Sequence, residues 1–563
     1  MITGLLQLLG LISSLILGQA GPISDRVEKI LGQMSVEQKV GQLMMVGFGG
    51  KQMGPEIAKL LIEHHIGSVA IYSRNITGTK QLAKLVRDVR EVMREEIQPF
   101  VAIDQEGGNV VRVRSDVLVL PGAMALGATR DPVLAFLAGQ ANAIDLGLLG
   151  VDMNLAPVLD VNRNPRNPVI NIRAYGDHPK LVTELGTKFI QGQQQAGMAT
   201  VAKHFPGHGT TSNDSHFALP VISLSLEQLK QTELIPFRAA IDTGLDAIMT
   251  AHVQVPAVDP SGSPASLSHA VISELLRKEL KFDGLVITDD LEMRAIAERM
   301  TSGEAAVQAI LAGADIVMVI WTAHKKHEVY EALLQAVKQN KIQLTRIDES
   351  VRRILRLKAT RGTLDALVTE KRELSKLFPN KLHARLVQTI AYRAVTLVRN
   401  RNSIVPLCDG KNVLAVGPQR IFLNELKRLL PGSRILITKR VPSQKRRRED
   451  LEKIVSLSKG KQAVVVAVVN AYQAWLVQQL KRRIKVPIVA VSFSSPYFFR
   501  NFPSVDAYIC TYSYLPSAQV AAARAISGQI SVTGRLPVKI SKQYKRGHGH
   551  TIKRKSCSAS ATR

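Results

Sequence analysis

Cysteine is scarce in this chain: 3 residues in 563, at Cys408, Cys510 and Cys557. Their spacing matches no zinc motif, and three thiols cannot form a disulfide framework; one bridge at most is open. Acid is scarce in the last third. Lys371 to Arg563 holds 37 Lys+Arg against 7 Asp+Glu, a net of +30, whereas residues 1–370 hold 37 against 39, a net of −2. The formal charge of +28 therefore belongs wholly to the C-terminal third. Apolar length is also short: the run from Leu5 to Leu17 falls short of a comfortable bilayer span. Gly18-Gln19-Ala20 follows it in a small-x-small pattern, so residues 1–20 read as an export signal. No Lys or Arg precedes the run, which leaves a membrane-tethered start as the second reading and a buried N-terminal helix as the bland one. No Cys lies nearby to carry a lipid.

What is present is an ordinary globular composition, 45% hydrophobic and 21% charged, on a chain too long for one core. Short apolar runs recur at 43–48, 68–72, 100–105, 151–157, 199–205, 247–252, 285–290 and 316–321, separated by helix-like stretches such as 81–97 and 305–314. This alternation predicts a (β/α)₈ TIM barrel, with an open doubly wound sheet as the competitor. The barrel requires functional groups at strand C-termini. Asp104 ends the third run, Lys203 and His204 the fifth, His252 the sixth, Asp289 and Asp290 the seventh. The stretch 344–362 reads as a closing helix capped near Thr345 or Asp348. A second α/β pattern follows at 412–418, 462–470, 486–496 and 505–513. The expected organisation is a barrel over 21–365, a linker over 366–385, a smaller basic α/β sandwich over 386–541 and a disordered basic tail over 542–563. The basic third calls for an anionic partner, an acidic wall polymer or a membrane surface; a merely solvated basic face carries equal weight. The tail shows neither interleaved aromatics nor an RNA-binding motif, so nucleic acid is not expected.

The segment KHFPGHGTTSNDSH, residues 203–216, concentrates His204, His208, Asp214 and His216. Pro206, Gly207 and Gly209 break any helix or central strand, so these groups sit on a loop. A metal site, an acid/base and substrate-binding loop, and a polar surface turn all compete. The H-x-x-x-H here spans Pro and Gly and cannot be the i, i+4 pair of a helix, which places metal below acid/base chemistry. Asp214 can orient the imidazole of His216, whose proton exchanges near neutral pH. Asp289 stands where a carboxylate can attack an anomeric carbon. Lys203 and His204 can donate to sugar hydroxyls, Asp104 can accept from two, and Arg173 can bind a hydroxyl or an acetamido oxygen. For each alone, barrel packing is at least as good an account; for Lys203 that account is a salt bridge with Asp104.

These stretches, with MSVEQKVGQLMMVGF, IDQEGGNVVRV, NLAPVLDVNRNPRNPVINIRAYG and FDGLVITDDLEM, resemble glycoside hydrolase family 3 across most of residues 27–360, in its bacterial β-N-acetylglucosaminidase branch. TLVRNRNSIVPL and TGRLPVKI resemble, more loosely, the family's C-terminal α/β sandwich. The resemblance implies a retaining exo-β-N-acetylglucosaminidase that removes terminal N-acetylglucosamine from peptidoglycan-derived or related glycans. It implies Asp289 as nucleophile, His216 as acid/base with Asp214 as its dyad partner, and Asp104, Arg112, Arg173, Lys203 and His204 around the sugar. It implies no metal and no cofactor, and a monomer is expected. A histidine acid/base adds no negative charge beside the ester, which leaves attack by phosphate open. The competing readings are a β-glucosidase or β-xylosidase of the same family, and an inactive exported polyanion-binding protein.

Overall fold

A computed structural model describes residues 20–214, 218–365, 374–407 and 412–554. The apolar start up to residue 19, His216, Cys408 and Cys557 lie outside these; Cys510 is a buried free thiol. Among the described residues no helix is long and apolar enough to cross a membrane.

Eight parallel strands close into a barrel: β1 Met44–Gly47, β2 Ser68–Ile71, β3 Phe100–Ile103, β4 Met153–Asn154, β5 Ala199–Phe205, β6 Ala247–Thr250, β7 Leu285–Asp290 and β8 Ile316–Val319. β8 returns to β1 with Met45 opposite Met318, so no edge remains and the open-sheet competitor is excluded. Each strand arises from one short apolar run, and β4 is the shortest because Pro157 brings no N–H to extend its ladder. Alternate residues fill the interior, among them Met45, Phe100, Met153, Val201, Met249 and Ile287. The helices between strands are locally specified. Asp131 caps Pro132–Leu148 by accepting from Val133 and Leu134 N–H. Thr301 and Glu304 form a capping box on Ser302–Ala312, which ends at Gly313 with φ of 115°. The closing helix runs Leu344–Thr360, but neither expected residue caps it: Gln343 holds the cap position without a side-chain bond, and Asp348 pairs with Lys39 at 2.8 Å instead.

The second sheet has six strands, β9 Thr396–Asn400, β10 Val413–Gly417, β11 Arg434–Ile437, β12 Ala463–Val468, β13 Ile488–Ser492 and β14 Ala507–Cys510, in the order β11-β10-β12-β13-β14-β9. All neighbours are parallel except β9 against β14. Apolar clusters cover both faces, one through Val464, Val466 and Tyr508, the other through Val465, Val489 and Ile509. The first takes in Met124, Ala128 and Ile172 from the barrel's loops, which seats the two units on one another.

Two boundary expectations change. The helix Lys381–Ala394, capped by Asn380, starts inside the expected linker. The expected disordered tail is folded through residue 554. His550 N–H donates to Leu397 O at 2.8 Å, Val532 and Ile552 exchange backbone bonds, Tyr544 packs on Phe499, and Arg546 pairs with Asp177 of the barrel. Polar composition concealed this because the backbone and a few scattered side chains, Tyr544, Arg546, His548 and Ile552, hold the segment rather than an apolar run.

Candidate active site

The C-terminal ends of the barrel strands surround a cavity of about 250 Å³. Asp104, Arg112, Arg173, Lys203, His204 and Asp289 all line it, so the structure gathers six of the sequence-derived candidates in one place. Asp214 is half-buried on the loop beyond β5 and is not part of that lining; His216 lies outside the described residues. His252 is fully buried beneath the site, bonded through Nδ1 to Ser266 Oγ at 2.7 Å and through Nε2 to Asp290 O at 3.0 Å. It supports the β7 end rather than facing the cavity.

The cations of the mouth are neutralised in a chain. Lys203 Nζ lies 2.7 Å from Asp104 Oδ1 and 2.7 Å from Glu106 Oε1. Arg112 donates to Asp104 Oδ2 at 2.8 Å. Arg173 grips Glu106 with two parallel bonds of 2.9 and 2.8 Å. The salt bridge entertained for Lys203 exists, and it is shared with a second carboxylate. Burial works to raise Asp104 and Glu106, but Lys203 with Arg112 and Arg173 with Lys203 overcome it. Asp104 is held below the usual carboxylate range, and Glu106 is lowered to about 2. His204 Nδ1 bonds Asp160 Oδ2 at 2.7 Å, which fixes the ring and turns Nε2 toward Arg173. Asp160 Oδ1 also accepts the His208 N–H at 2.6 Å, tying the start of the glycine-rich loop to the barrel. Burial lowers His208 to about 4.

Glu106 and Asp160 were not singled out from the sequence. Glu106 stands two residues beyond Asp104, which a strand-like extension places on the same side. Asp160 had no comparable signal, since it lies in the irregular chain after β4. Tyr72 and Trp321 were missed as well: Arg74 lies 4.1 Å from the Trp321 ring and 5.1 Å from that of Tyr72 at the cavity's edge.

The two adjacent carboxyls of β7 are driven apart. Burial opposes ionisation of Asp289, but His252, His204, the Asp290 N–H at 2.9 Å and Lys203 outweigh it, and the net shift is downward. Asp290 is pushed up to about 7 by burial and then by Glu292. At neutral pH Asp289 is an anion at the floor of a cavity of paired charges. Among the described residues no group of three His, Cys, Asp or Glu side chains is placed to hold a metal ion.

Residues 35–357 match the model of the glycosyl hydrolase family 3 N-terminal domain. The chain belongs to this family. Beta-hexosaminidase A of Pseudoalteromonas piscicida is 33% identical over 384 residues, 64% of either chain, so the match spans just under two thirds of that relative. Beta-hexosaminidase of Pseudomonas aeruginosa is 37% identical over 280 residues, 49% of this chain and 81% of its own. A family 3 β-N-acetylglucosaminidase structure from Paenibacillus sp. str. FPU-7 superposes with a TM-score of 0.86 at 38% identity, covering 90% of this chain and 99% of that one. The last match includes the second sheet, so the family 3 relationship extends beyond the barrel.

Proposed function

We propose that the protein is a retaining exo-β-N-acetylglucosaminidase that removes terminal N-acetylglucosamine from peptidoglycan-derived or related glycans. The observation that carries this reading is the ionised Asp289 at the end of β7, set in an enclosed mouth of charge-paired hydrogen-bonding groups. Such a mouth suits a neutral polyol. Asp104 and Glu106 accept from hydroxyls, while Lys203, Arg112, Arg173 and His204 donate to hydroxyl or acetamido oxygens. The relatives' names support the amino sugar.

In the first step an Asp289 oxygen bonds to the anomeric carbon as the glycosidic bond breaks, and the leaving oxygen takes a proton from His216. In the second step His216 accepts a proton from water, whose oxygen displaces Asp289 with net retention; Asp214 supports the charged imidazole. Phosphate in place of water would give the sugar 1-phosphate. The raised Asp290 supports a second reading, in which Asp290 holds the proton delivered to the leaving group.

Purified protein assayed on 4-nitrophenyl β-N-acetylglucosaminide and the matching glucoside tests the reading, beside Asp289→Asn, His216→Ala and Asp290→Asn. We expect turnover of the first substrate only, abolished in Asp289→Asn and strongly reduced in His216→Ala. Cleavage of the glucoside would move the chain to the β-glucosidase reading. A collapse in Asp290→Asn with His216→Ala active would reassign the acid. We propose export as its setting, with membrane tethering as the alternative. The same +30 third that suits an acidic wall polymer or an anionic membrane supports that setting.

A further inference from the structure

Buried cations such as Lys39, Arg90 and Lys203 have carboxylate partners, and several surface ones in the second unit do too, such as Lys481 with Asp506 and Arg483 with Glu452. The segment from Arg434 to Arg448 differs. It holds 7 Lys and Arg and no Asp or Glu. It starts as β11, which pairs with β10 alone and leaves its outer edge open, and it ends in the first turn of the helix Gln444–Ser458. Arg446 pairs with Glu449 and Asp450, and Arg440 and Arg447 lie over the rings of Tyr514 and Tyr472. Arg434, Lys439, Lys445 and Arg448 are exposed, with no carboxylate in ion-pair range among the described residues. In their midst Val441 is 72% exposed and Ile437 41%. The turn that carries Val441 is fixed: Thr438 N–H donates to Gly417 O at 3.0 Å, and Arg440 O accepts from Asn470 and Gln473 at 2.9 and 3.1 Å.

Two features argue that this face is more than solvated surface. Cations that guard an open strand edge against pairing would account for Arg434 and Lys439, but not for a valine held outward beyond the strand's end. The first turn of the following helix carries no acid, so its cations work against the helix dipole. An anionic partner relieves that conflict.

We propose that the β11 edge, Arg434–Arg448, is a docking surface for an anionic lipid bilayer, with Lys439, Lys445 and Arg448 meeting headgroups and Val441 entering the acyl boundary. A rigid apolar side chain ringed by unpaired cations gains from both parts of an anionic interface. A soluble polyanion engages the charges and gains nothing from Val441. The proposal stands apart from the catalytic reading, since none of these residues lines the cavity.

The test is co-sedimentation of the full chain with vesicles of phosphatidylcholine alone and of phosphatidylcholine with about one third phosphatidylglycerol, with heparin affinity measured in parallel. The wild type is expected on the anionic vesicles only. The Lys439→Glu/Lys445→Glu/Arg448→Glu variant is expected to lose about 100-fold in partitioning. Val441→Ser is expected to lose about tenfold on vesicles and nothing on heparin. Val441→Ser also keeps the test decisive if the triple variant fails to fold. Failure of the wild type to bind anionic vesicles overturns the proposal. So does unchanged vesicle binding by Val441→Ser, which would make the face a site for soluble polyanions.

Discussion

The barrel mouth and the β11 edge use the same side chains in opposite ways. In the mouth, Lys203 is buried, Arg112 and Arg173 are half-buried, and each is spent on Asp104 or Glu106, which leaves a stiff, charge-balanced surface for a neutral ligand. At the edge, Lys439, Lys445 and Arg448 are exposed and point at no carboxylate among the described residues. The difference lies in what surrounds the cation. Buried charge survives only when paired, so the mouth gains geometry, while exposed charge costs little and keeps its long-range field. The mouth should therefore be insensitive to salt, whereas the edge should weaken steeply as the Debye length falls to about 3 Å at 1 M salt.

The largest effect is expected at Asp289, a mouth carboxylate held ionised with no ion pair among the described residues. Asp289→Asn should lower kcat on an aryl N-acetylglucosaminide by about 10⁴-fold or more, with the fold unchanged by circular dichroism. Next is the shared lysine. Lys203→Met leaves Asp104 and Glu106 buried around a missing cation and should cost about 3–5 kcal/mol in urea unfolding, along with most of the activity. Smaller again is an effect from behind the mouth. Glu233 is fully buried against Gly207, its carboxyl has no side-chain partner among the described residues, and burial followed by Asp160 pushes it up to about 8. Between its ordinary value of 4.5 and about 8 the folded state holds the proton that the unfolded state releases, so this group makes stability fall as pH rises. Glu233→Gln should flatten that slope in denaturation curves taken from pH 5 to 8; an unchanged slope would show that Glu233 does not set it. The smallest effect is at the edge itself. Lys445→Glu places an acid in a helix first turn and should raise stability by about 0.3–1 kcal/mol while weakening vesicle binding, which a purely structural role for that lysine would not combine.

How much of this was legible in the sequence follows from the same contrast. The barrel was readable because parallel strands buried on both faces need continuous apolar runs, and all eight showed as such. Asp104, Lys203, His204 and Asp289 were readable because each ends one of those runs. Asp160 was not, since its position depends on an irregular path after β4 that no periodicity encodes. β11 was missed because an edge strand of four residues, Arg434–Ile437, buries too little to need an apolar run. The folded stretch to residue 554 was missed for a related reason: Arg546 and the backbone of His550 find their partners, Asp177 and Leu397, far earlier in the chain. The second unit's charge was plain from composition, but which cations are left unpaired is a property of the fold alone.

The central claim is that Asp289 bonds covalently to the sugar. It is tested most directly by incubating the protein with a 5-fluoro-N-acetylglucosaminyl fluoride, which slows breakdown of the glycosyl-enzyme, and mapping the adduct by peptide mass spectrometry. The account predicts a single added sugar on the peptide that contains Asp289, absent in Asp289→Asn. An adduct on Asp290, or turnover of the aryl substrate with no adduct and with inversion at the anomeric carbon, would contradict it.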